Sequence, residues 1–98
     1  MFVGTLTFDL LLGDVHSLKE KRSIVRPIVA ELQRKYSVCA AETGDQDLHR
    51  RSEIGLAVVS GDVSYVNEVL DSCERLVSGR PEVQLLSARR RLRDDDDE

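Results

Sequence analysis

The sequence predicts an α+β fold of element order βαββαβ, and three observations predict it. Two stretches carry apolar residues at helical spacing, and four shorter ones, two of them alternating, read as strands. Residues 44–51, between the second and third strand segments, are too few for the helical crossover that a parallel pair needs. No pattern repeats at a fixed period. With right-handed crossovers, a chain of this order is expected to form a ferredoxin-like split βαβ. That fold is an antiparallel four-stranded sheet of spatial order 4-1-3-2 with two helices on one face.

The first strand is expected over residues 2–12. Phe2, Leu6, Phe8, Leu10 and Leu12 share one parity, and Thr5, Thr7 and Asp9 share the other. Period two with one apolar side marks a half-buried strand. Ser17-Leu18-Lys19-Glu20 then has capping-box form, in which Ser and Glu side chains satisfy backbone donors at a helix start. Leu18, Val25, Ile28, Val29, Leu32 and Tyr36 continue as a helical stripe. Pro27 lies inside the stripe. It removes one backbone bond and crowds the carbonyl four residues back, so a kink or break is expected between Ser23 and Pro27.

A second, small-residue strand is expected over residues 37–43 and a third over 53–59, with Ile54, Leu56 and Val58 on one face. Gly55 and Ala57 leave the other face flat. Asp62 is a natural N-cap for a second helix, whose stripe is Val66, Val69, Leu70, Cys73, Leu76 and Val77. Gly79 and Pro81 end it. The last strand is expected over residues 82–93.

The 98 residues suit one domain, expected over residues 1–93. The formal charge of −4 is uneven, because the last five residues are all acidic. The rest of the chain balances 14 basic residues against 13 acidic ones. A like-charge block of this kind predicts a disordered tail over residues 94–98. No apolar run reaches the ~18 residues of a membrane helix. The apolar N-terminus has no basic leader and is interrupted by Asp9, so it reads as a strand rather than a signal peptide. Cys39 and Cys73 form no disulfide framework and are expected to be reduced core thiols. These features point to a cytoplasmic protein.

Two basic clusters carry the functional expectation. Lys19, Lys21, Arg22 and Arg26 open the first helix, where the backbone dipole already favours anions. The topology brings His49, Arg50, Arg51 and Gln46 of the 44–51 loop to the same pole. Together they would form a phosphate-contacting patch for RNA, with Gln46 adding specificity. The competing reading is that Asp14, Asp45, Asp47 and Glu53 neutralise these cations as ordinary surface pairs. The second cluster is Arg89, Arg90, Arg91 and Arg93. It either protects an edge strand or makes a nucleic-acid contact that the acidic tail masks.

The open sheet face, with Thr5, Thr7, Asp9, Gly55 and Ala57, lacks the aromatic pair on which RRM domains stack bases. Its flatness suits packing against a second copy, so a homodimer is the alternative expectation. There is no glycine-rich phosphate loop, and neither histidine has a metal-ligand partner at suitable spacing. The sequence therefore predicts no catalytic residues, no metal site and no small-molecule cofactor.

Ser17-Leu18-Lys19-Glu20-Lys21-Arg22, with Ala41-Glu42, Gln46-Asp47-Leu48 and residues 53–60 (EIGLAVVS), resembles the YlxP-like family of small bacterial proteins. The resemblance covers residues 1–82. It implies a ferredoxin-like fold and, by association with genes for translation factors, a role near the ribosome or RNA; the family's function is unknown. Its members often carry Trp where this chain has Leu48. The Arg-rich strand and acidic tail are not part of the resemblance.

Overall fold

The computed structural model describes residues 1–96. Its elements are β1 (Phe2–Leu12), α1 (Leu18–Tyr36), β2 (Cys39–Gly44), β3 (Arg51–Ser60), α2 (Val63–Ser78) and β4 (Val83–Asp94). The sheet order is β2-β3-β1-β4, which read from the other edge is 4-1-3-2, and all three pairings are antiparallel. This is the ferredoxin-like arrangement. Asp95 and Asp96 follow β4 in a turn, and the remainder of the expected tail, residues 97–98, lies outside the described residues.

Side-chain alternation decides which face is covered. In β1 the even-numbered residues Leu6, Phe8, Leu10 and Leu12 are fully or almost fully buried, while the odd-numbered ones are half-exposed. Ile54, Leu56 and Val58 of β3 and Ala40 of β2 join the same layer. Against it lie Val25, Ile28 and Leu32 of α1 and Val66, Val69, Leu70, Cys73 and Val77 of α2. Both helices therefore cover one face, and the other is open.

Both expected caps are present. Ser17 Oγ accepts from Glu20 N at 3.1 Å, and Asp62 Oδ1 accepts from Ser64 N at 2.9 Å. The reciprocal arm of the capping box is displaced by one residue: the Glu20 carboxylate accepts from His16 N at 3.2 Å.

Two expectations are corrected. The first concerns Pro27, since α1 runs unbroken from Leu18 to Tyr36. Pro27 and Ser23 are both exposed, so water can reach the carbonyl left without its intrahelical donor. The second concerns Cys39, which is exposed rather than in the core. It pairs with Ala57 and so belongs to the open face, while Val38 and Ala40 take the covered side.

Cys73 is buried, and that burial pushes its thiol from 9.0 up to about 11, with Arg90 pulling weakly the other way. At pH 8 a thiol reagent should modify Cys39 alone in the native protein, and both cysteines after denaturation. Between pH 9 and 11 the unfolded chain releases the Cys73 proton while the folded chain keeps it, so stability should fall with rising pH across that window. Fast labelling of both thiols in the native state would contradict this placement.

Candidate functional site

The two segments expected to meet do meet. Leu12 N donates to Arg50 O at 2.8 Å, and Arg50 Nε donates to the carbonyls of Gly13 at 2.9 Å and Leu12 at 3.3 Å. Lys21 Nζ donates to the carbonyl of Asp45 at 2.5 Å. The start of α1 and the β2–β3 loop thus share one pole of the sheet.

Their cations do not act as one patch. Lys21 is 2% exposed and lies 3.0 Å from the Glu42 carboxylate, which also accepts from the buried Ser52 hydroxyl at 2.7 Å. Lys21 is therefore a structural cation, and its expected phosphate contact is corrected: a phosphate could reach it only by dismantling the loop. Arg50 is exposed, but its Nε is committed to the turn after β1. Gln46 Nε2 donates to the Glu42 carbonyl at 3.2 Å, which ties this side chain to the loop. Arg51 opens β3 opposite Leu11 and belongs to the open face, away from α1. Asp14 pairs with His16 at 2.9 Å. Leu48 is half-exposed, so it does not plug the core.

What remains is a strip along α1. Lys19, Arg22 and Arg26 are three and four residues apart, which places them on one helical face. All three are exposed, and none has an ion-pair partner among the described residues. They border two shallow depressions. One, of about 380 Å³, is lined by Lys19, Arg22, Ser23, Arg26 and Pro27. The other, of about 280 Å³, runs between α1 and the edge strand β2. Val25, Val29 and Ala30 line its floor, with Gln33 and Glu42 contributing polar groups. Gln33 Nε2 donates across to the Ala40 carbonyl at 2.8 Å. The α1–β2 groove was not anticipated from sequence, since it depends on which edge of the sheet the helix overhangs.

The second basic cluster divides between two faces. Arg90 points to the helix side, 2.9 Å from Asp71. Arg89, Arg91 and Arg93 register opposite Thr7, Thr5 and Val3 and form a row on the open face. Arg89 pairs with Glu53 at 2.9 Å and Asp9 at 3.7 Å, whereas Arg91 and Arg93 have no such partner among the described residues. The tail does not mask this row as far as it is described. Asp96 reaches the Met1 amino group at 3.3 Å, and Asp95 N donates to the Met1 carbonyl at 2.8 Å. Among the described residues no group of three His, Cys, Asp or Glu side chains could hold a metal ion, and no helix is long and apolar enough to cross a membrane.

Residues 3–90 match the family described as "Protein of unknown function (DUF503)". The chain is 29% identical over 82 residues to the uncharacterized protein YlxP of Bacillus subtilis, covering 84% of this chain and 89% of that one. A de novo designed protein with ferredoxin fold superposes with a TM-score of 0.54 at 15% identity, covering 98% of this chain and 88% of the other. SnoaB, a cofactor-independent oxygenase from Streptomyces nogalater, gives 0.54 at 10% identity, with 96% and 93% covered. Both likenesses concern the fold alone.

Proposed function

The chain belongs to the DUF503 family of unknown function, and from its own surface we propose an RNA- or ribosome-associated module that acts by binding rather than catalysis. The observation that supports this is the exposed strip Lys19-Arg22-Arg26, three aligned cations without carboxylate partners among the described residues. Exposed cations on a helix face repel one another unless an anion lies nearby, and a phosphate backbone supplies anions at regular spacing. Lys19 lies in the first turn, where the helix dipole strengthens both the repulsion and the attraction for phosphate. The strip is narrower than the patch expected from the sequence: Lys21 is buried, Arg50 Nε and Gln46 Nε2 bond within the loop region, and Arg51 lies on the open face.

RNA affinity measured against salt tests the reading. Three phosphate contacts should give a slope of log affinity on log salt between about −2.1 and −2.7. Raising salt from 50 to 200 mM should then weaken binding roughly 20- to 40-fold. Lys19→Gln, Arg22→Gln and Arg26→Gln together should abolish that salt dependence. No binding at low salt, or an unchanged triple variant, would sink the proposal.

A further inference from the structure

The open face of the sheet is uneven in a way that matches itself. Reading across one rung, Cys39 of β2, Ala57 of β3, Thr5 of β1 and Arg91 of β4 stand side by side. On the next rung the residues are Ala41, Gly55, Thr7 and Arg89. Three strands thus present small side chains and the fourth presents arginines. The small side chains leave a shallow hollow of about 410 Å³ lined chiefly by Thr5, Thr7, Cys39, Ala41, Gly55 and Ala57, with Glu53 at its rim. The arginines of β4 form a ridge beside it, with Arg91 and Arg93 lacking ion-pair partners among the described residues.

We propose that this face is a homodimer interface, formed about a two-fold axis parallel to the strands. Such an axis reverses left and right across the sheet and leaves each rung at its own height. The ridge of each copy then lies over the hollow of the other, with Arg91 opposite Cys39 and Arg89 opposite Ala41. An axis perpendicular to the strands would instead stack one arginine ridge on the other, at a cost in repulsion. Because ridge and hollow share one face, a second copy satisfies both at once, which is the requirement of an isologous contact.

The area suffices. Four strands about 4.8 Å apart and a ten-residue strand rising about 3.3 Å per residue give a face of roughly 600 Å². Two such faces bury about 1,200 Å², the lower end of the range for specific interfaces. Glu53 at the rim of the hollow holds Arg89 of its own chain, which leaves the Arg91 and Arg93 guanidiniums to meet the other copy. The dimer uses the face opposite α1 and does not depend on the phosphate strip.

Sedimentation of the full chain at ~100 µM, above the micromolar range expected for so small an interface, should show a particle of twice 11.0 kDa. Ala57→Arg fills the hollow from the open side and should give a monomer with an unchanged circular dichroism spectrum. Arg91→Cys tests the axis without disturbing the hollow. A short bismaleimide should link it to the native Cys39 of the other copy, and adding Cys39→Ser should abolish the link. The wild type should not be linked, because its two Cys39 thiols lie on opposite edges. A wild-type monomer, a dimer that survives Ala57→Arg, or the absence of an Arg91→Cys link to Cys39 would each overturn the proposal.

Discussion

Lys21→Ala should cost about 3 kcal/mol of stability, the low end of the ~3–5 kcal/mol for breaking a buried pair by removing one partner. The remaining Glu42 side chain is 22% exposed and would keep only the Ser52 hydroxyl as a partner. The Asp45 carbonyl would lose the ammonium donor as well and keep only Leu48 N. Asp45 has a left-handed backbone, φ 59°, which costs energy for a residue with a Cβ and needs support from its surroundings. Thermal unfolding should therefore fall by ~15 °C, and protease should nick the β2–β3 loop before the rest of the chain. Lys21→Met with Glu42→Gln removes both charges, keeps an acceptor for Ser52, and should recover most of the loss. RNA affinity per folded molecule should not change in Lys21→Met. A stability loss under 1 kcal/mol, or a specific loss of RNA binding, would return Lys21 to the surface patch.

The burial of Lys21 was legible in the sequence. Lys21, Val25, Ile28 and Leu32 follow one another at intervals of four, three and four, so Lys21 occupies the inward stripe of α1. Its partner was legible too, since Glu42 shares parity with the buried Ala40 of β2. What the sequence could not supply was the pairing across 21 residues, which depends on how far the start of α1 overhangs β2. Lys19, Arg22 and Arg26 remain outside because they fall on the opposite side of the helix.

The fold was legible because β1 and β3 alternate and each helix has a cap. Strand boundaries were less so: β3 begins at Arg51 rather than at residue 53, since Arg51 pairs with Leu11 although its side chain is exposed. Cys39 shows the same difficulty from the other side. A short strand of small residues gives no alternation from which to read its parity, and register with Ala57 alone decides that the thiol faces out. The arginine ridge and the hollow follow from register in the same way. Each residue was visible, but the rung joining Cys39, Ala57, Thr5 and Arg91 exists only once three strand pairings are fixed.

Gly4 shares parity with Leu6 and Phe8 in β1 and faces α2, and replacing it should have the second large effect. A Cβ at Gly4 would lie 2.5 Å from Val66 Cγ1 and 2.9 Å from Leu70 Cδ1. Both neighbours are fully buried in α2, so neither can swing into solvent. Leu70 has a second side-chain torsion with which to retreat, but Val66 is branched at Cβ and has one strongly preferred rotamer in a helix. Gly4→Val should therefore lift α2 from β1 at a cost of about 3 kcal/mol, the upper part of the range for overpacking a core. The better strand propensity of valine returns well under ~1 kcal/mol of that. Val66→Ala makes room at the contact. Alone it should cost roughly 1–2 kcal/mol as a small cavity, whereas with Gly4→Val it should restore more than half of the loss. Denaturant unfolding of the four proteins closes the cycle, and a coupling below about 0.5 kcal/mol would mean that α2 does not rest on Gly4. The open face lies on the far side of β1 from this contact. If the Gly4→Val chain still folds, its dimer should persist while its stability drops, which separates the packing that holds the sheet from the surface the sheet presents.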